Sequence, residues 1–249
     1  MFTAVMQRQG IRGMYVPFKV APPDIGKALQ SLRILNIAGA NVTAPYKETV
    51  IPHLDIMSEG ANVIGAVNTI VRNGAKLKGY NTNAIGFMDA LDNAGFDPVG
   101  KSALVFGTGG AARAVAFILN WLRTKVIIVT GRNDEKVKQL VDRFGGEGAS
   151  FDALEKSVNA DIVVNATSVS GIDESPEMAD LVTRLEVKGC QLVVDLNYNR
   201  SQNFWQALAE YNGIQFMDGL LPLAYQARRT FALWTGLQVP PEEFIKALE

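Results

Sequence analysis

The sequence predicts an α/β protein with a doubly wound parallel sheet in its second half and a smaller α/β unit ahead of it. Two observations lead there. Short β-branched runs alternate with stretches of helical periodicity, the pattern of βαβ crossovers. An apolar run at 103–106 also passes straight into a glycine turn and then into a small-residue helix. The runs read as strands are 14–20, 38–42, 66–71, 103–106, 126–130, 162–165 and 192–195. Helical periodicity marks 111–121, 135–144 and 220–234, and Pro240-Pro241 opens a last short helix, 241–248. Between 92 and 101 the residues Asn93, Gly95, Asp97, Pro98 and Gly100 interrupt any regular element and mark a boundary. The expected divisions are therefore 1–90, 91–219 and 220–249.

Composition narrows the partners. With 24 basic and 25 acidic residues the formal net charge is -1, which leaves no electrostatic footprint for nucleic acid or an anionic membrane and favours a small-molecule partner. Cys190 is the one cysteine, so an internal disulfide is excluded and a reducing compartment is favoured. No apolar run approaches the ~20 residues that cross a bilayer, and cytoplasm is the expected location. The single histidine, His53, has no ligand-spaced partner, so no metal site is expected. Monomer and homodimer both stay open.

Residues 103–114 read A-L-V-F-G-T-G-G-A-A-R-A, the G-x-G-x-x-A form of the dinucleotide fingerprint at Gly107, Gly109 and Ala112. The first glycine permits the tight turn, the second lets the backbone approach a pyrophosphate, and Ala112 allows close packing of helix on strand. Thr108, Gly110 and Ala111 complete the turn, and the helix N-terminus offers N–H groups and partial positive charge to phosphates. The order strand, turn, helix, second strand predicts a Rossmann-type domain. At the end of that second strand Thr130 and Gly131 stand where an NAD-binding protein usually has an acid, and Arg132 follows, able to pair with a 2′-phosphate. NADP is favoured over NAD, which Asp134 keeps open.

Three polar stretches in the first part interrupt or follow strand-like runs: Asn41-Val-Thr43-Ala-Pro45-Tyr-Lys47, Gly65-Ala-Val-Asn68-Thr69 and Asn81-Thr82-Asn83-Ala-Ile-Gly86-Phe87. Amides and hydroxyls in such number suit a ligand rich in hydroxyl groups, and Lys47 is the only proton-transfer candidate among them.

These stretches and the glycine turn resemble the shikimate dehydrogenase family, with its N-V-T-x-P-x-K, G-A-x-N-T and G-x-N-T-D-x-x-G-F signatures. Asn165-Ala-Thr167-Ser168 and Gly219-Leu-Leu-Pro-Leu-Ala-Tyr-Gln226 match further on, so the resemblance runs in order from Tyr15 to Gly236. It implies a two-domain enzyme interconverting 3-dehydroshikimate and shikimate by hydride transfer with NADPH, with the C-terminal helices returning to the substrate domain. It further implies that Lys47 is the catalytic lysine with position 83 beside it. Thr43, Asn68, Asn83, Tyr198 and Gln226 would bind substrate. Gly107, Thr108, Gly109, Gly110, Ala111, Arg132, Asn165, Thr167 and Gly219 would hold the cofactor. Quinate or another ring acid is an alternative substrate, and a dinucleotide-binding sensor without turnover is an alternative class.

The sequence departs from the family in three places. Asn83 stands where the family has the aspartate that pairs with the lysine, and an amide can exchange no proton. Nothing before Tyr15 matches the family's S-x-S segment, whose hydroxyls hold the substrate carboxylate. Residues 1–9 correspond instead to the helix after that segment, so the chain is expected to start late and its first domain to lack a strand. Pro222 replaces a methionine near the nicotinamide.

Overall fold

The computed structural model of the protein describes residues 1–154 and 158–248. The chain forms two compact units, Met1–Gly86 together with Leu223–Glu249, and Phe87–Pro222.

In the first unit, a four-stranded sheet has the order β1 (Gly39–Asn41), β3 (Thr69–Asn73), β4 (Lys76–Tyr80), β2 (Ile56–Met57). β3 and β4 form an antiparallel hairpin, with Thr69 opposite Tyr80. Ile70 and Leu77 of the hairpin are fully buried with Ile25, Leu29 and Leu32 of helix α2 (Ile25–Ile34). Those three helical positions recur at spacings of four and three, so one face of α2 covers the sheet. A second cluster joins Phe2, Val5 and Met6 of α1 (Phe2–Arg8) to Ala224, Ala227 and Phe231 of α10 (Leu220–Thr235) and Phe244 of α11 (Pro241–Ile245). The last helices thus complete the core of the unit that the first residues begin.

One expected strand is absent. Residues 14–20 form no regular element and pair with no strand, and Met14 and Phe18 are 76% and 71% exposed. A strand requires a hydrogen-bonded neighbour, and β1 pairs only with β3. The segment is tied down through Tyr15 instead. Its N–H donates to Thr3 Oγ1 at 3.0 Å, its hydroxyl donates to Asn41 Oδ1 at 3.1 Å, and its ring stacks on Phe2 at 4.7 Å.

The second unit is built on a six-stranded, wholly parallel sheet, ordered β12 (Gln215–Met217), β11 (Leu192–Asp195), β9 (Ile162–Asn165), β5 (Ser102–Phe106), β6 (Val126–Thr130), β7 (Glu147–Ala149). A small parallel pair, β8 (Val158–Asn159) with β10 (Val187–Lys188), stands apart from it. Chain direction across the sheet reverses between β5 and β9, the doubly wound Rossmann order, in which ligands bind beyond the carboxyl ends of the strands at that switch point. The central strands are unbroken apolar runs because both faces are covered. Three of them end in a fully buried polar residue, Thr130, Asn165 and Asp195. Trp205 of α9 (Phe204–Asn212) is fully buried with its ring 4.7 Å from Phe106.

The short strands β2, β4, β7 and β12 carry too few alternating apolar residues to stand out in the sequence. Among the described residues no helix is long and apolar enough to cross a membrane.

If α10 closes the first core, Phe231→Ala, which empties a fully buried ring position, should cost about 3–5 kcal/mol of unfolding free energy. Chemical denaturation checks this, and a loss under about 1 kcal/mol would show that the helix is dispensable to that core.

Candidate active site

The polar residues of the first unit converge on Asn68. Two backbone hydrogen bonds clip the loop after β1 onto this segment: Val42 N–H donates to Asn68 O at 2.9 Å, and Val67 N–H donates to Lys47 O at 2.7 Å. The second places the Lys47 main chain beside the residue preceding Asn68. The Asn68 side chain is buried, and its Oδ1 accepts the N–H of Thr82, the first residue of α4 (Thr82–Asn93), at 2.6 Å. Since that oxygen is fixed by a backbone donor, the other end of the amide must be Nδ2. Its two hydrogens are shared among three acceptors, Thr82 Oγ1 at 2.9 Å, Asn83 Oδ1 at 2.9 Å and Gln226 Oε1 at 3.1 Å. Thr69, Thr82 and Thr230 close the network, their hydroxyls 3.0 Å apart pairwise. Asn41 joins it by donating to Asn68 O and Thr69 Oγ1, each at 3.1 Å.

Asn68, Asn83 and Gln226, distant in sequence, are therefore one hydrogen-bonded group, with Lys47 attached through the backbone. Thr43 lies on the clipped loop and is exposed; its carbonyl accepts from Tyr46 N–H at 3.0 Å. The Lys47 side chain is partly buried and, among the described residues, has neither an ion pair nor a hydrogen bond. Burial pushes its pKa below the ordinary lysine value. The threonine hydroxyls and Asn41 had no assigned role in the sequence reading. Thr69 and Thr82 stand inside the polar stretches, but only tertiary contact reveals Thr230.

In the second unit the predicted cofactor set gathers at the carboxyl ends of the strands. Gly107 has φ +116, and a Cβ there would come within 2.9 Å of Ala166 O, so both its conformation and the approach of the β9 loop demand glycine. At Gly109 a Cβ would meet nothing within 4 Å, and no side chain caps the start of α5 (Gly110–Trp121). Thr108, Gly110 and Ala111, all partly buried, form the rest of the turn. An uncapped helix N-terminus behind an open glycine backbone is an anion site, and a dinucleotide pyrophosphate fits it. At the end of β6, Thr130 Oγ1 is buried without a partner, and Arg132, two residues on, is exposed.

Asn165 takes a different part from the one the resemblance implies. Its Nδ2 donates to Val169 O and Asp195 Oδ1, both at 2.8 Å, and its Oδ1 accepts from Thr167 N–H at 3.0 Å and Thr167 Oγ1 at 2.6 Å. The side chain is fully buried and saturated, so Asn165 shapes the loop that carries Thr167 and keeps no atom for a ligand. Its partner Asp195, which the sequence places only as the end of a strand, is a fully buried hub. It also accepts from Ser170 Oγ at 2.6 Å, Asn203 Nδ2 at 2.7 Å, and both the N–H and Nδ2 of Asn197 at 3.0 Å. Asn197 Nδ2 donates to Thr167 O at 3.0 Å, and Asn197 O accepts from Gly219 N–H at 2.9 Å, linking the loops after β9, β11 and β12. Tyr198, next in sequence, is 43% exposed on this linked set.

Comparison with known proteins agrees along both units. Residues 1–70 match the shikimate dehydrogenase substrate binding domain and residues 92–217 match the shikimate / quinate 5-dehydrogenase model. The NADP(+) shikimate dehydrogenase of Desulforamulus reducens is 39% identical over 96% of this chain and 86% of its own length. Among solved structures, the shikimate dehydrogenase of Aquifex aeolicus superposes with a TM-score of 0.88 at 33% identity, covering 99% of this chain and 90% of that one. The Thermus thermophilus shikimate 5-dehydrogenase, solved in complex with NADP(H) and shikimate, gives 0.86 at 33% identity over 98% of this chain and 92% of that one. With two family models spanning both units in sequence order, and an identity near two residues in five along almost its full length, the chain belongs to the shikimate dehydrogenase family.

Proposed function

We propose that the chain is an NADP-dependent shikimate dehydrogenase, reducing 3-dehydroshikimate to shikimate and reversing the reaction. The observation that carries this reading is the buried amide and hydroxyl network centred on Asn68 with a cation, Lys47, clipped beside it. A polyhydroxylated ring requires many neutral donors and acceptors together with one proton-transfer group, and this set supplies both. The reading agrees with the named activity of the relatives. The reaction is placed in the cytoplasm, where the single thiol, Cys190, stays reduced; burial pushes that thiol up to about 11, so it is inert as a nucleophile.

A bound nicotinamide would supply or take up the hydride; Gly107 through Ala111 would hold its pyrophosphate, and Arg132 would pair with a 2′-phosphate. As the ring carbonyl gains electrons its oxygen becomes anionic, and the Lys47 ammonium stabilises that charge and donates the proton. In the other direction neutral Lys47 takes the hydroxyl proton. Gln226 and Thr43 orient the ring through its hydroxyls, and Asn68, whose amide is taken up by Thr82, Asn83 and Gln226, positions them. Asn83 cannot exchange a proton, so Lys47 alone carries this step.

A second reading, a dinucleotide-binding sensor without turnover, is favoured by the amide at position 83. Nicotinamide absorbance during oxidation of shikimate and of quinate, with NADP or NAD, decides between them. Turnover of shikimate with NADP supports the enzyme. Silence with both acids, while NADP still binds, supports the sensor.

Lys47→Met should lower kcat by about 10²- to 10⁴-fold while leaving NADP affinity unchanged; a full rate would remove Lys47 from the mechanism. Arg132→Ala should raise the KM for NADP by roughly 10- to 100-fold and leave that for NAD in place, since only the first carries the phosphate. Equal effects on both cofactors would place Arg132 away from the 2′-phosphate.

The pH dependence follows from the lowered pKa of Lys47. Ketone reduction requires the ammonium, so it is fully supported below that pKa and fades as pH rises through it, while alcohol oxidation gains. Asn83→Asp supplies an opposite charge that favours the ammonium, and both limbs should move to higher pH. Superimposable profiles for the two proteins would show that position 83 does not sense Lys47.

A further inference from the structure

We infer that Asn83 makes this site select the ring ketone over the ring alcohol, an inference that rests on the ring-acid reading of the site. Asn68 Oδ1 accepts the Thr82 backbone N–H at 2.6 Å, so Asn68 Nδ2 is the end that faces Asn83 at 2.9 Å. A donor requires an acceptor opposite it, which settles the Asn83 amide with Oδ1 turned to Asn68 and Nδ2 turned away. The same logic holds for Gln226. Its Oε1 accepts from Asn68 Nδ2 and from Thr82 Oγ1, both at 3.1 Å, and its Nε2 is left to point elsewhere.

The partly buried Asn83 therefore offers its outer surface as an N–H₂ donor at the second residue of α4. The partial positive charge of that helix end has the same preference for electron-rich partners. Lys47, as an ammonium, is also a donor without acceptor capacity, and among the described residues no carboxylate pairs with it.

In the ring-acid reading both donors face the reacting oxygen. A carbonyl oxygen has two lone pairs and no hydrogen, so it can accept from Lys47 and Asn83 together. A hydroxyl oxygen can accept both as well, but its own hydrogen then finds no acceptor in this pair. A donor left unmatched on binding costs about a tenfold loss of affinity. An aspartate at this position reverses the balance, because its free oxygen accepts the hydroxyl hydrogen and repels a carbonyl oxygen. The amide therefore biases binding toward 3-dehydroshikimate and stabilises the oxyanion that forms during its reduction, at the expense of holding shikimate.

The test is calorimetric binding of 3-dehydroshikimate and of shikimate, each without nicotinamide, to the native chain, Asn83→Asp and Asn83→Leu at one common, mildly acidic pH, which favours the ammonium form of Lys47. Both acids carry the same carboxylate, so the ratio of their affinities cancels any change in net charge at the site. The native ratio is expected to favour the ketone about tenfold. It should fall toward unity in Asn83→Leu, which keeps the shape and removes the donor, and cross to favour the alcohol in Asn83→Asp. A native ratio of one or below, or a ratio unmoved by both substitutions while binding persists, overturns the inference and leaves the ring-acid reading standing. Failure of both acids to bind the folded native chain overturns the two together.

Discussion

The hydrogen bond from the Thr82 backbone to Asn68 Oδ1 is the constraint on which the first unit is organised. It fixes one end of a buried amide, and every other assignment in the network follows from that polarity. Because Asn68 Nδ2 then reaches Gln226, and Thr69 and Thr82 reach Thr230, the bond also ties the C-terminal helix to the hairpin and to the start of α4. A buried polar group left unpaired costs about 1–3 kcal/mol, so this cluster holds only with all members in place. Apolar packing of Phe231 and its neighbours supplies the non-directional part of the attachment, and the network supplies the register.

The second unit solves the corresponding problem with a carboxylate. Its strands are apolar runs that must stop somewhere, and they stop in buried polar residues whose side chains set the loops beyond. Asp195 receives five hydrogen bonds from Asn165, Ser170, Asn197 and Asn203. A buried charge is tolerated when its lone pairs are satisfied in this way. The loops after β9, β11 and β12 are thereby held as one piece, and the glycine turn meets that piece through the close approach of Gly107 to Ala166.

The charge balance of the first unit is unusual. Its catalytic candidate, Lys47, is partly buried and has no ion pair among the described residues, and burial disfavours its charged form. A carbonyl reduction is served by such an arrangement, because negative charge arises on the substrate during the reaction and a cation without a resident anion is free to meet it.

Much of this was written locally. The fingerprint at Gly107 and Gly109, the strand runs 126–130, 162–165 and 192–195, and the three polar stretches are readable because each depends on neighbours in sequence: a turn needs its glycines, and a strand covered on both faces needs an unbroken apolar run. The family followed from the order of those motifs. Tertiary structure decided what local pattern cannot carry. Residues 14–20 have the composition of a strand, yet a strand exists only with a paired edge, and none is offered to them. Asn165 looks like a ligand contact at a strand end, but the donors and acceptors that consume it lie up to 30 residues away. Asp195, Asn197 and Thr230 carried no functional signal because the hydrogen bonds that join them to other loops and helices span 27 to 161 residues. The outward-facing end of the Asn83 amide, finally, is set by a backbone N–H that reaches Asn68 from 14 residues along the chain, and only the folded network gives it direction.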